Sequence, residues 1–268
     1  MHTMNMKTLR IVTFILLILS CGSAALEALD YSYYIENGAV TIGYYSGTNA
    51  VEVVPDTIAD LPVVAIASWA FQYNTNLASV TFPNSLVSIA NGVFYQCTAL
   101  TNVTFGNHQT TIGDSAFYNC HNLTQLIFPS SVTNLGAACF QSCYGVQEIY
   151  FRGNAPSVGN DVFLAIPAAT VYYFSGTTNW FSYLGSRPTV LWDPHILTVD
   201  PTFGMSAGRF GFTVTNMADI RVIIEATTNL SGTGWTQVRN STTLNQSLYF
   251  SDPDTATYSK RLYRLSSP

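Results

Sequence analysis

Apolar and polar positions along this chain repeat on a 23-residue spacing, much longer than the period of a helix or a strand. Ile66, Ile89, Ile112, Leu135 and Val158 stand 23 apart, and so do Phe71, Phe94, Phe117, Phe140 and Phe163. A third column holds Phe82, Phe105, Phe128, Phe151 and Phe174. Within each unit the apolar residues before that last phenylalanine follow a fixed rhythm: Leu77, Val80, Phe82; Leu100, Val103, Phe105; Leu123, Leu126, Phe128; Val146, Ile149, Phe151. A period in this range marks a stack of identical short coils, each unable to bury its apolar face alone.

The L-x-x-L-x-L rhythm is the strand signature of a leucine-rich repeat. Residues 112–134 state the whole unit: Ile112 and Gly113, then Ala116, Phe117 and Cys120, then Leu123, Leu126 and Phe128, then Pro129 and Val132. This unit closely resembles the BspA-type leucine-rich repeat family, with phenylalanine where that family usually has isoleucine before proline. The resemblance covers about residues 50–192. It implies a mainly β solenoid of five 23-residue coils with short helical turns, over residues 66–174, and a bacterial surface protein that binds other proteins in adhesion. In the fifth unit Ile166 and Ala169 replace the cysteine and leucine, which indicates that the array is closing.

Open solenoid ends need caps. Tyr31–Tyr34 and Ala39–Tyr44 read as a hairpin about Asn37-Gly38, and Val51–Pro55 as a degenerate first strand, so residues 30–65 are assigned as the N-terminal cap. At the other end Ser175–Leu184 suits a short helix and Pro188–Trp192 a final strand, giving a cap over 175–193. Beyond Asp193-Pro194 the spacing stops. Short strand candidates at Ile196–Val199, Arg209–Thr215, Ile220–Glu225, Gly234–Val238, Ser247–Phe250 and Arg261–Leu265 then suggest a small β-sandwich over 194–268. This segment resembles C-terminal modules of secreted environmental bacterial proteins.

At the N-terminus, Lys7 and Arg10 precede an apolar run from Ile11 to Leu19, and small residues follow to Ala25. These are the three parts of a secretory signal, expected to be cleaved near residue 25 and to leave no membrane span. The protein is therefore expected to be secreted or held in the cell envelope. Ile18–Cys21 also resembles a lipobox, an alternative in which Cys21 is lipidated. Of the remaining cysteines, Cys97, Cys120 and Cys143 share one repeat column, and Cys139 lies in another with Ala70, Val93, Ala116 and Val162. A column of three cannot pair within itself, so these are expected to be small buried hydrophobes, with a disulfide or a metal as the alternatives.

Charge is scarce. Only 9% of residues are charged, against about a quarter in an ordinary domain. Between Ile66 and Gln147, Asp114 is the only Asp, Glu, Lys or Arg. No basic stripe exists to attract nucleic acid. Residues 31–193 are net acidic, and Lys260, Arg261 and Arg264 cluster near the end, where a solvated strand edge is expected. Asp114, Ser115 and His121 contain the residue types of a hydrolase triad, but Asp114 aligns with Ser68 and Asn91, and His121 with Thr75 and Thr98, as in ordinary exposed turns. Asp252-Pro-Asp254 could offer oxygens to calcium, but a solvated turn suits it better. No catalytic residue, cofactor or metal is assigned.

The surface is left to carry function. Residues beside the buried strand positions point outward, forming three ladders: Ala78, Thr101, Thr124, Gln147 and Thr170; Ser79, Asn102, Gln125, Glu148 and Val171; Thr81, Thr104, Ile127, Tyr150 and Tyr173. The candidate ligand-binding residues are Thr101, Asn102, Thr104, Thr124, Gln125, Ile127, Gln147, Glu148, Tyr150, Thr170 and Tyr173. Tyr150 beside Tyr173 resembles an interaction hot spot, although both residue types also merely suit an exposed strand. The partner is expected to be a protein or a glycan at the extracellular surface. A spacer that presents the C-terminal part is the third possibility, and the oligomeric state is open.

Overall fold

In a computed structural model, residues 30–268 are described apart from 167, 217–219, 230–233, 244 and 259. The expected secretory signal over residues 1–25, with Cys21, lies outside them. The chain first forms a hairpin, Tyr31–Glu36 antiparallel to Ala39–Tyr45, with Asn37 and Gly38 both left-handed as its two-residue turn requires. Ala39–Tyr45 then pairs with Leu61–Ile66, and a run of short parallel strands follows: Ser88–Ile89, Thr111–Ile112, Asn134–Leu135 and Ser157–Val158. These carry the isoleucine column inward.

The opposite side of each coil is the L-x-x-L-x-L strand. Val51–Val53, Ser79–Thr81 and Asn102–Thr104 form one parallel sheet. Gln125–Phe128, Glu148–Phe151, Thr170–Phe174 and Arg187–Trp192 form a second. Between this strand side and the isoleucine-column sheet run the phenylalanine columns. Phe71, Phe94, Phe117 and Phe140 stack in sequence with ring centres 4.9–5.0 Å apart. Tyr45 closes this column at one end, 4.5 Å from Phe71. At the other end Trp180 packs on Phe151 at 5.5 Å.

The glycine after the isoleucine column has a packing cause. A Cβ on Gly136 would lie 2.4 Å from the Asp114 backbone nitrogen, and one on Gly159 2.4 Å from that of Ala137. Successive coils are in direct backbone contact here. The expected helical turns do not form, and the described residues hold no α-helix. Each coil instead rounds its corner through two left-handed residues four apart: Gly92 and Gln96, Ser115 and Asn119, Ala138 and Ser142, Asp161 and Ala165. A left-handed residue cannot continue a right-handed helix. The helix expected over Ser175–Leu184 is absent too: Tyr183–Leu184 pairs antiparallel with Arg187–Pro188.

The fifth unit departs from the period. Ile149 pairs with Val171, Tyr150 with Tyr172 and Phe151 with Tyr173, a spacing of 22 rather than 23. On a strict 23-residue register Tyr172 would face the core and Val171 the solvent. A one-residue slip exchanges the faces, so Val171 is buried in the solenoid core and the phenol is turned outward. Hydrophobic burial outweighs the repeat period.

Beyond Pro194 two antiparallel sheets share an apolar core. One contains His195–Leu197, Arg209–Thr215, Gly204–Ser206 and Ser247–Ser251; the other contains Thr236–Thr242, Arg221–Thr227 and Leu262–Ser266. Gly204–Ser206 is a strand the sequence pattern did not show. Asp252 does not sit in a solvated turn but is fully buried, held by both Arg261 contacts at 2.8 Å and by the Tyr263 hydroxyl at 2.5 Å. Nor are the neighbouring cations free. Arg261 also lies over Tyr258, while Arg264 pairs with Glu225 at 2.6 Å and stacks over Trp235.

Candidate functional site

The strand face is divided by what lies on it. Tyr150, Tyr172 and Trp192 from the last coils join one apolar cluster with Phe212, Val214, Ile220, Val222, Ile224 and Phe250 of the C-terminal sheets. The C-terminal module therefore packs directly on the outward face of the final three strands. Trp192 donates its indole N–H to the Arg221 carbonyl at 2.9 Å, and Asn216 donates its amide to the Leu191 carbonyl at 3.4 Å. Arg221 reaches Glu148 at 3.2 Å, and Gln125 donates to the same carboxylate at 3.2 Å. Burial raises the Glu148 pKa, the Arg221 charge and the Gln125 amide opposing it.

The expected hot spot is corrected by this packing. Tyr150 is wholly buried, and its stacked neighbour is Tyr172 at 4.9 Å. Tyr173 has slipped into the phenylalanine column and stacks on Trp180, also at 4.9 Å. Val171 is in the core rather than in the outward ladder, and Thr170 takes the place beside Glu148. Glu148 itself is engaged by Arg221. Ile127 is half-buried at the edge of the same cluster. Thr101, Asn102, Thr104, Thr124 and Gln147 remain exposed, and Gln125 is half-buried.

The open half of the face is thus Val51–Val53, Ser79–Thr81 and Asn102–Thr104, with Gln125–Phe128 at its boundary. Val51 and Val53 are 65% and 66% exposed, so the first strand of this face presents bare valine to solvent. Asn102 donates its amide to the Ser79 hydroxyl at 3.4 Å, and Thr101 its hydroxyl to the Ala78 carbonyl at 2.9 Å. Hydrogen-bonded pairing is broken between Asn102–Thr104 and Gln125–Phe128, which fall in separate sheets. At that break lies a cavity of about 490 Å³, lined by Asn102, Thr104, Asn107, Ile127, Ser130 and Arg152 among others. Sequence periodicity gave no sign of this break, because all the strand columns continue through it.

The groups that resembled chemistry have structural work. Asp114 accepts the Ala137 amide at 2.7 Å, just as Asn91 accepts the Asp114 amide at 2.9 Å, so this column ties one coil to the next. His121 stacks on Tyr144 at 5.8 Å. The four cysteines are free and buried. Cys97, Cys120 and Cys143 donate to the carbonyls of Phe71, Phe94 and Phe117 at 3.1–3.2 Å. Burial pushes the Cys97 and Cys143 thiols up to about 12, and raises those of Cys120 and Cys139 well above their ordinary value. Among the described residues there is no group of three or more potential metal ligands, and no helix long and apolar enough to cross a membrane.

Comparison with known proteins agrees with the repeat reading. The family described as BspA type Leucine rich repeat region matches residues 64–184 in 6 copies, one more than the five regular coils of the 23-residue spacing. Over residues 64–184 the chain is thus similar to this leucine-rich repeat family. Among solved structures, the chain is similar to a leucine-rich repeat protein of T. pallidum, with 26% identity, a TM-score of 0.53, and coverage of 61% of this chain and 79% of that one. It is also similar to a leucine-rich repeat protein of Bacteroides capillosus, at 24% identity and a TM-score of 0.44, covering 48% of this chain and 98% of that one. A leucine rich cell surface protein of Faecalibacterium prausnitzii shares 20% identity at a TM-score of 0.39, covering 57% of this chain and 55% of that one. No curated protein matches.

Proposed function

We propose that this protein is a non-catalytic bacterial scaffold that binds another protein through the open half of its solenoid strand face. The observation that carries the reading is the division of that face: the last strands are sealed by the C-terminal module, while three strands and the groove at Asn102 and Thr104 stay open. Leucine-rich repeats of this kind form protein-interaction surfaces, and the expected N-terminal signal favours placement in the envelope or outside the cell. A near-uncharged face cannot draw a partner from a distance, so recognition rests on shape, apolar contact and short hydrogen bonds. The C-terminal module acts as an intramolecular clamp on the array.

The test is binding to a panel of purified envelope and matrix proteins by surface-immobilised titration. Asn102→Arg with Thr104→Arg should weaken any specific interaction about tenfold or more, ~1.4 kcal/mol, with an unchanged melting temperature. Affinity that survives both substitutions would remove the open face from consideration.

A further inference from the structure

We propose that the corner of the first coil carries a second recognition site, an aromatic platform of Trp69 and Tyr73 that takes a neutral polysaccharide. The starting observation is conformational. Each coil rounds its corner through two left-handed residues, and the later coils fill these positions with non-aromatic side chains, from Gly92 and Gln96 to Asp161 and Ala165. The first coil fills them with Trp69, at φ 67°, and Tyr73, at φ 59°. Bulky residues are rare in this backbone region, and residues held there against preference concentrate at sites of function.

Core packing does not account for the two rings. Trp69 is 43% exposed and Tyr73 58% exposed. They are nevertheless held in fixed attitudes. The six-membered ring of Trp69 lies over Gly92, where a Cβ would fall 2.1 Å from its Cε3 and Cζ3 atoms. One side of the indole is therefore seated on backbone and only glycine leaves room for it. Trp69 and Tyr73 each meet Tyr95 with ring centres 5.7 Å apart, at interplanar angles of 70° and 80°. Tyr95 in turn stacks on Tyr118 at 4.9 Å and 8°. Both rings thus stand nearly perpendicular to a column of tyrosines that braces them.

The chemistry of the surroundings selects the occupant. Asp114 is the one Asp, Glu, Lys or Arg between Ile66 and Gln147, and its carboxylate is engaged by the Ala137 amide. A charged polymer would find no counter-ion here. The electron-rich face of an aromatic ring attracts weakly positive C–H groups, which a pyranose presents on its apolar side. Tyr95, half-buried between the two rings, is the polar-tipped side chain that both of them touch. Neutral sugar rings match this combination of flat aromatic surface and uncharged polar rim.

This site is separate from the open strand face, so its test can fail alone. The purified protein is run in native gels containing a mixed-linkage β-glucan, a xylan, a galactomannan or glycogen, and positive cases are titrated by tryptophan fluorescence. Retardation by at least one of these is expected, with Trp69→Ala and Tyr73→Ala each weakening it about tenfold. Tyr73→Phe should keep the affinity, because the ring rather than the hydroxyl makes the contact. Asn102→Arg should leave it unchanged. If Trp69→Ala lowers the melting temperature, Tyr73→Ala alone carries the comparison. No retardation by any of the four polymers, or retardation that both alanine variants retain, overturns the proposal. So does stronger binding to alginate than to the neutral polymers.

Discussion

Tyr150 stacks on Tyr172 with ring centres 4.9 Å apart, although the 23-residue repeat pairs it with Tyr173. The slip that creates this pair buries Val171 in the solenoid and gives the C-terminal module two adjacent aromatic rings to cover. The Tyr150 hydroxyl is buried there without a hydrogen-bond partner, and its pKa is raised by burial and by the nearby Glu148 charge. An unpaired buried hydroxyl costs about 1–3 kcal/mol. Tyr150→Phe should therefore raise stability by about 1 kcal/mol in chemical denaturation. Tyr150→Ala should lower it by ~3 kcal/mol or more by opening a cavity. A neutral alanine variant would show that the junction is not packed.

The C-terminal module should lose stability in acid through Asp252. Burial disfavours the ionised carboxylate, but the Tyr263 hydroxyl, the Asp254 amide and the Arg261 guanidinium outweigh it and hold the pKa below its ordinary value. A pKa lowered in the folded state adds stability that is complete above the unfolded value, near pH 4. That stability is lost as pH falls through the folded value. Asp252→Asn should cost about 3 kcal/mol at neutral pH by leaving Arg261 without its buried partner, and should flatten the acid limb of the melting profile. Equal acid sensitivity in the variant would assign the limb to another group.

Thiol chemistry separates the core reading of the cysteines from a disulfide. Cys97, Cys120, Cys139 and Cys143 are buried as free thiols, with pKa values raised by burial. The thiolate is the reactive form, so none of the four should react with a thiol reagent in the native protein at pH 8. All four should react in denaturant without reductant. Fewer than four would indicate a bridge.

The contact between coils at the glycine column predicts intolerance to a single methyl group. In Gly136→Ala the new Cβ would meet the Gly113 carbonyl carbon at 2.5 Å as well as the Asp114 nitrogen at 2.4 Å. Backbone cannot rotate away as a side chain can, so a loss of ~2–3 kcal/mol is expected in chemical denaturation. Gly38→Ala, in an open hairpin turn with nothing near its Cβ position, strains only its own left-handed backbone and should cost about 1 kcal/mol.

The solenoid was legible because each column repeats a burial requirement: Phe94, Phe117 and Phe140 occupy equivalent places and stack accordingly. Three things were not. The 22-residue step depends on whether a valine or a phenol enters the core, a preference weaker than five columns of period and visible only locally. The junction required knowing that two separate apolar surfaces meet. A trace of it was present: the outward ladder changes from Thr81 and Thr104 to Ile127 and Tyr150, and that gain in apolar surface marks where the cover lies. It reads equally as an exposed binding spot, because a strand face bound by a partner and one covered by the same chain need the same residues. The aromatic corner was missed for the opposite reason. Trp69 and Tyr73 fall in columns with no consistent character, and only the left-handed backbone shows how unusual they are there.

The division of the strand face is tested most directly by hydroxyl-radical footprinting of the purified protein, read residue by residue by mass spectrometry. Tyr73 and Tyr144 are 58% and 55% exposed, whereas Tyr150 and Tyr172 are 0% and 8% exposed beneath the C-terminal module. Oxidation should be fast at the first two and as slow at Tyr150 and Tyr172 as at the core residue Phe117. Oxidation of Tyr150 at the rate of Tyr144 would contradict the covered junction and return the whole strand face to solvent.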